Sequence, residues 1–72
     1  MAATGGDEAL VAKFAVVLPH LDERQRRLLL GAEAISLGRG GITAVAIAAG
    51  VSRPMVTRGV AEVRSARRRE LG

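Results

Sequence analysis

Cysteine, tryptophan and tyrosine are absent from these 72 residues, and Phe14 is the sole aromatic side chain. Without cysteine there is neither a disulfide framework nor a thiolate metal site, and His20 alone cannot hold a metal. With almost no aromatics, an interior has to be assembled from Leu, Val, Ile and Ala, which implies closely approaching elements. The same lack removes the stacking platforms on which single-stranded nucleic acids are commonly bound. No apolar run approaches the roughly 18 residues that span a bilayer, and the first residues lack the basic and then apolar pattern of a signal peptide. A soluble, unexported segment is expected, in the cytoplasm and associated with the nucleoid if it binds DNA.

Charge is present but unevenly placed. The chain carries a formal net charge of +4. Residues 1–38 hold four basic side chains against five acidic ones, or −1, whereas residues 39–72 hold seven arginines against Glu62 and Glu70, or +5. An excess of one sign in the C-terminal half is the electrostatic footprint of a polyanion-binding surface. A chain of this length has room for one domain with a modest core.

The punctuation along the chain predicts four helices and no strand. Residues 1–6 are small and glycine-containing and read as a disordered lead-in, leaving 7–72 as the single domain. Asp7 caps a first helix over 7–18, with Leu10, Phe14, Val17 and Leu18 at helical spacing, and Pro19 ends it. His20 and Leu21 form a linker. Asp22 and Gln25 have the spacing of a capping box, so a second helix spans 22–37, with Leu28, Leu29, Ala32 and Ile35 as its apolar stripe. It ends in the cluster Gly38, Gly40 and Gly41. The stretch 42–49 has four alanines and is followed by Gly50, which favours a short third helix with a glycine C-cap over a strand. Ser52 offers an N-cap oxygen and Pro54 falls in the first turn of a fourth helix over 53–65, which can extend into Arg67, Arg68 and Arg69. The fold class expected is therefore all-α, a small three- to four-helix domain containing a helix-turn-helix.

Two short helices joined by Ala49, Gly50, Val51 and Ser52 carry the functional argument. Ala46 is small where the next helix crosses, Gly50 can adopt a left-handed turn, and Val51 plugs the corner. Projected at about 100° per residue from Arg53, Val56, Val60 and Val63 fall between about 280° and 340°. Pro54, Thr57, Arg58, Ala61, Arg64 and Arg68 fall between about 20° and 140° on the other side. An apolar arc opposite a basic arc suits a helix docked in the major groove of duplex DNA, where residues near its N-terminus reach base edges and later arginines reach phosphates. The candidate DNA-binding residues are Ser52, Arg53, Pro54, Thr57, Arg58, Arg64 and Arg68. Packing of Ala46, Val51, Val56 and Val60 with Leu28, Leu29 and Ile35 is expected to hold this helix in place.

The segment from Ile42 to Arg58, with three residues between Ala46 and Gly50-Val51-Ser52 and with Val56-Thr57-Arg58 after it, resembles the helix-turn-helix of lactose-repressor-type regulators. The stretch Leu18-Pro19-His20-Leu21-Asp22-Glu23-Arg24-Gln25-Arg26-Arg27-Leu28-Leu29-Leu30, with Gly40-Gly41-Ile42, resembles the N-terminal region of ISAzo-type bacterial insertion-sequence transposases. Together the motifs cover roughly residues 10–65. The second resemblance implies a module that binds the terminal repeats of a mobile element, with a DDE catalytic domain that this chain does not contain. Gly59 stands where such recognition helices carry an apolar residue, at a cost of up to about 1 kcal/mol relative to Ala. Pro54 offers a base only apolar contact.

Plainer readings stand beside these. Arg67, Arg68 and Arg69 form a charge run of the kind that is commonly only solvated, Arg24, Arg26 and Arg27 read as a solvated face, and His20 as a linker residue. Asp22 and Glu23 are accounted for by capping and by the helix N-terminus, and no serine has a histidine partner, so no enzyme activity, cofactor or small-molecule ligand is expected. Double-stranded DNA is the expected partner, with homodimerisation left open. Two alternatives remain: the headpiece of a transcriptional repressor and, from another class, a helical protein-interaction or dimerisation module.

Overall fold

Proline and glycine set the boundaries. The structure, a computed structural model, describes residues 2–71, with side chains from residues 8 to 70. Helix α1, Ala2–Val17, stops ahead of Pro19, and Leu18–His20 makes one 3-10 turn in which the Leu21 N–H donates to the Leu18 carbonyl at 3.0 Å. Helix α1 begins at Ala2 rather than at residue 7, so residues 2–6, read as a disordered lead-in, continue the helix, and Asp7 lies within it instead of capping it. Helix α2, Glu23–Leu37, opens on the anticipated capping box: the Gln25 N–H donates to Asp22 Oδ1 at 2.8 Å, and the Asp22 N–H to Gln25 Oε1 at 2.9 Å. It closes at Gly38, whose N–H donates to the Ala34 and Ile35 carbonyls. Helix α3 is Gly41–Ala49 and helix α4 is Arg53–Leu71. Among the described residues there are these four α-helices and no strand. The last helix continues past residue 65 through the arginine run.

Each helix contributes to one core: Phe14 from α1, Leu30 and Ala34 from α2, Val45 and Ala46 from α3, and Val56 and Val60 from α4. The absence of other aromatics makes Phe14 the one bulky plug, seated by α1 against α3. Val51, Leu29 and Ile35 lie at the margin of this core as expected participants, half-buried against it.

The buried stripe of α2 differs from the expected one. Ala32 is exposed and Leu28 only half-buried, whereas Leu30, Gly31 and Ala34 are buried. The structural stripe is Arg27, Leu30, Gly31 and Ala34, which has the i, i+3, i+4, i+7 spacing of a packing face. Two of its four members are not apolar, so a count of hydrophobic side chains selects the neighbouring stripe instead. Helix α4 mirrors it with Val56, Gly59, Val60 and Val63. At the crossing Gly31 meets Gly59: a Cβ on Gly31 would collide with the Gly59 carbonyl and the Val60 nitrogen, and one on Gly59 with the Arg27 carbonyl.

Two of the arginines read as a solvated face are instead engaged. Arg26 Nε donates to the Leu18 carbonyl at 3.0 Å, tying α2 to the preceding turn. Arg27 Nε contacts both Glu62 carboxylate oxygens at 3.1 Å, with side chains only 23% and 31% exposed, and so links α2 to α4. Lys13 and Glu33 pair across α1 and α2.

Candidate nucleic-acid interface

The turn that presents α4 is short because Gly50 closes it. Gly50 sits at φ 70°, ψ 34°, a left-handed conformation that costs a residue with a Cβ about 1–2 kcal/mol. Its N–H caps α3 on the Ala46 and Ile47 carbonyls, and the Val51 N–H donates to the Ala46 carbonyl at 3.0 Å. Three residues, 50–52, separate α3 from α4. Ser52 Oγ accepts the Met55 N–H at 3.3 Å, which makes Ser52 the N-cap that its sequence position suggested.

Burial divides α4 into two faces. Val56, Gly59 and Val60 are buried, and Ser52, Arg53, Pro54, Thr57, Arg58, Ala61, Arg64 and Arg68 are exposed. Among the described residues none of Arg53, Arg58, Arg64 and Arg68 forms an ion pair, so four guanidinium groups face solvent along one helix. Arg53 and Arg68 are fifteen residues apart, or about 22 Å along the axis at 1.5 Å per residue. The site residues therefore fall into two groups. Arg53, Pro54, Thr57 and Arg58 cluster at the turn, and Arg64 and Arg68 lie about three and about four helical turns beyond Arg53.

Two open hollows flank the start of α4, and neither is visible in its own sequence. One is lined by Glu23 and Arg27 of α2 together with Ser52, Pro54, Met55 and Arg58. It brings the first turns of α2 and α4 to the same end of the molecule, with an acid beside Arg58. The other is lined by Thr43, Ala46, Ile47, Val51 and Arg53, so α3 borders the first residue of α4. Sequence reasoning left Glu23, Arg27, Thr43 and Ile47 out of the site. The only signal for the last two was their i, i+4 spacing on a helix without a single charged residue.

Comparisons with family models, with curated proteins and with solved structures find no match to this chain.

Proposed function

We propose that this chain is a double-stranded DNA-binding helix-turn-helix module in which α4 lies in the major groove, and that it performs no catalysis itself. One observation carries the reading: α4 buries one face against α2 and α3 while its opposite face presents Arg53, Thr57, Arg58, Arg64 and Arg68. A helix about 10–12 Å across fits a groove about 12 Å wide. On this reading the residues at its start meet base edges, and Arg64 and Arg68 meet phosphates. The resemblance to transposase N-terminal regions supports a finer assignment, in which the target is the terminal repeat of an insertion sequence. On that assignment the module works in the cytoplasm of a bacterium, on the chromosome, and the strand-transfer chemistry belongs to a domain elsewhere. The headpiece of a repressor would use the same face.

A reading from another class has its own observation. Val11 and Ile47 are exposed and share an apolar groove with Ala44 and Ala48 between α1 and α3, as a helical interaction or dimerisation module requires. Salt dependence separates the two readings. The test is selection of duplexes from a random-sequence pool, followed by titration of the selected duplex and a scrambled one across a salt series. A DNA-binding module enriches a sequence, and log K falls by about 0.9 per tenfold increase in salt for each phosphate contacted. Failure to enrich any duplex, together with salt-insensitive self-association, would establish the interaction module instead.

A further inference from the structure

We propose that the hollow between α3 and the start of α4 is a thymine-reading site, which seats the 5-methyl group of the base against Ile47 beside Arg53. This inference rests on the DNA-binding reading and names what one part of that surface recognises. Ile47 is 77% exposed, more than Val16, Val11 or Leu37, and projects from a helix with no charged residue. Single exposed apolar side chains need no explanation. Ile47 differs from the other three in its surroundings, because it shares a hollow with the first arginine of the groove-facing helix. Within that hollow Ala46 is buried and Val51 half-buried, forming an apolar floor, while Thr43, Ile47 and Arg53 are exposed and form the rim.

The chemistry of this arrangement selects among the bases. In the major groove thymine presents an O4 acceptor and a methyl group, whereas cytosine presents an amino donor and no methyl. Arginine has only donors. Arg53 at the rim therefore suits the thymine oxygen and opposes the cytosine amino group, while the apolar floor and Ile47 suit the methyl. A second copy of this chain fits the same hollow poorly. A two-fold contact is made by the same patch on both partners, so it would cover two Arg53 side chains with no acid in either hollow to pair them. Duplex DNA, which carries negative charge beside its methyl groups, satisfies both halves of the site.

Deoxyuridine provides the test, because it pairs as thymine does but lacks the methyl. The wild-type chain selects a duplex from a random-sequence pool, and each thymine of that duplex is replaced by deoxyuridine in turn. Dissociation constants are measured for the wild type, Ile47→Ala and Val16→Ala, with thermal melting and sedimentation of each variant. At one thymine the replacement should weaken the wild type about fourfold, the factor to which burial of one methyl group corresponds. Ile47→Ala should bind the thymine and deoxyuridine duplexes equally, and Val16→Ala should keep the fourfold difference. A wild type indifferent to every replacement overturns the proposal, and so does an Ile47→Ala variant that retains the difference. A monomer–dimer shift caused by Ile47→Ala assigns the residue to a contact between copies and also overturns it. If no duplex is enriched at all, the DNA-binding reading itself fails, and this site with it.

Discussion

Gly31 and Gly59 meet backbone to backbone where α2 crosses α4, at a separation that excludes a Cβ on either residue. Helix propensity alone makes Gly59 a defect in α4, costing up to about 1 kcal/mol relative to Ala. The crossing reverses that sign, because the glycine lets the two buried stripes approach closely enough for Val56 and Val60 to close the core with Leu30 and Ala34. The two accounts predict opposite results. Gly59→Ala and Gly31→Ala should each destabilise the domain by about 1–3 kcal/mol or more, the range for overpacking a close-packed interior. Urea denaturation followed by circular dichroism measures this, and a stabilised Gly59→Ala variant would refute the close crossing.

The register of α2 can be tested with its run of three leucines. Leu30 is fully buried, whereas Leu29 lies at the margin of the core and Leu28 is only half-buried. Leu30→Ala should cost about 2–5 kcal/mol, most or all of the stability of a domain this small, and Leu28→Ala clearly less. Equal melting temperatures for the two variants would return the buried stripe to the Leu28 side.

Beside the glycine crossing, the Arg27–Glu62 pair fixes how α4 lies on α2. Both side chains are partly exposed, so the pair is worth about 1 kcal/mol at most, and a double-mutant cycle of Arg27→Ala and Glu62→Ala should give a coupling of that size that shrinks in high salt. A coupling of zero at low ionic strength would mean that the pair contributes nothing to holding α4.

On the proposed DNA face, position along α4 separates the roles of the arginines. Arg53, at the turn, should contribute to base reading: Arg53→Ala is expected to cost about 1–3 kcal/mol on the selected duplex and to relax the preference at one base position. Arg68, about 22 Å further along, should bind backbone. Arg68→Ala should weaken all duplexes alike and reduce the salt slope by about one. Equal losses on selected and scrambled duplexes for Arg53→Ala would leave α4 a purely electrostatic or shape-reading element.

The local signals in this sequence were strong, and they predicted local structure. Pro19, the Asp22–Gln25 capping box, Gly50 and Ser52 act within a turn of themselves, by removing an N–H, satisfying one or permitting a left-handed backbone. The breaks between helices could accordingly be placed from the residues, and the opposition of Val56 and Val60 to Thr57 and Arg58 on α4 followed from helical geometry. The stripe on α2 was misplaced because Arg27 and Gly31 belong to it. One buries its stem and pairs its charge with a residue 35 positions away. The other contributes nothing to hydrophobicity, and its role appears only when another backbone lies against it.

By itself, then, the sequence determined the breaks between helices, the caps that open α2 and α4, and which face of α4 is basic, because each depends on residues a few positions apart. Only the tertiary structure decided that Gly59 is a packing requirement, that Arg27 is held by Glu62, and that Ile47 stands beside Arg53. Those relationships depend on where separate helices cross and on which side chains they bring together, and the spacing of residues along one helix carries no record of either.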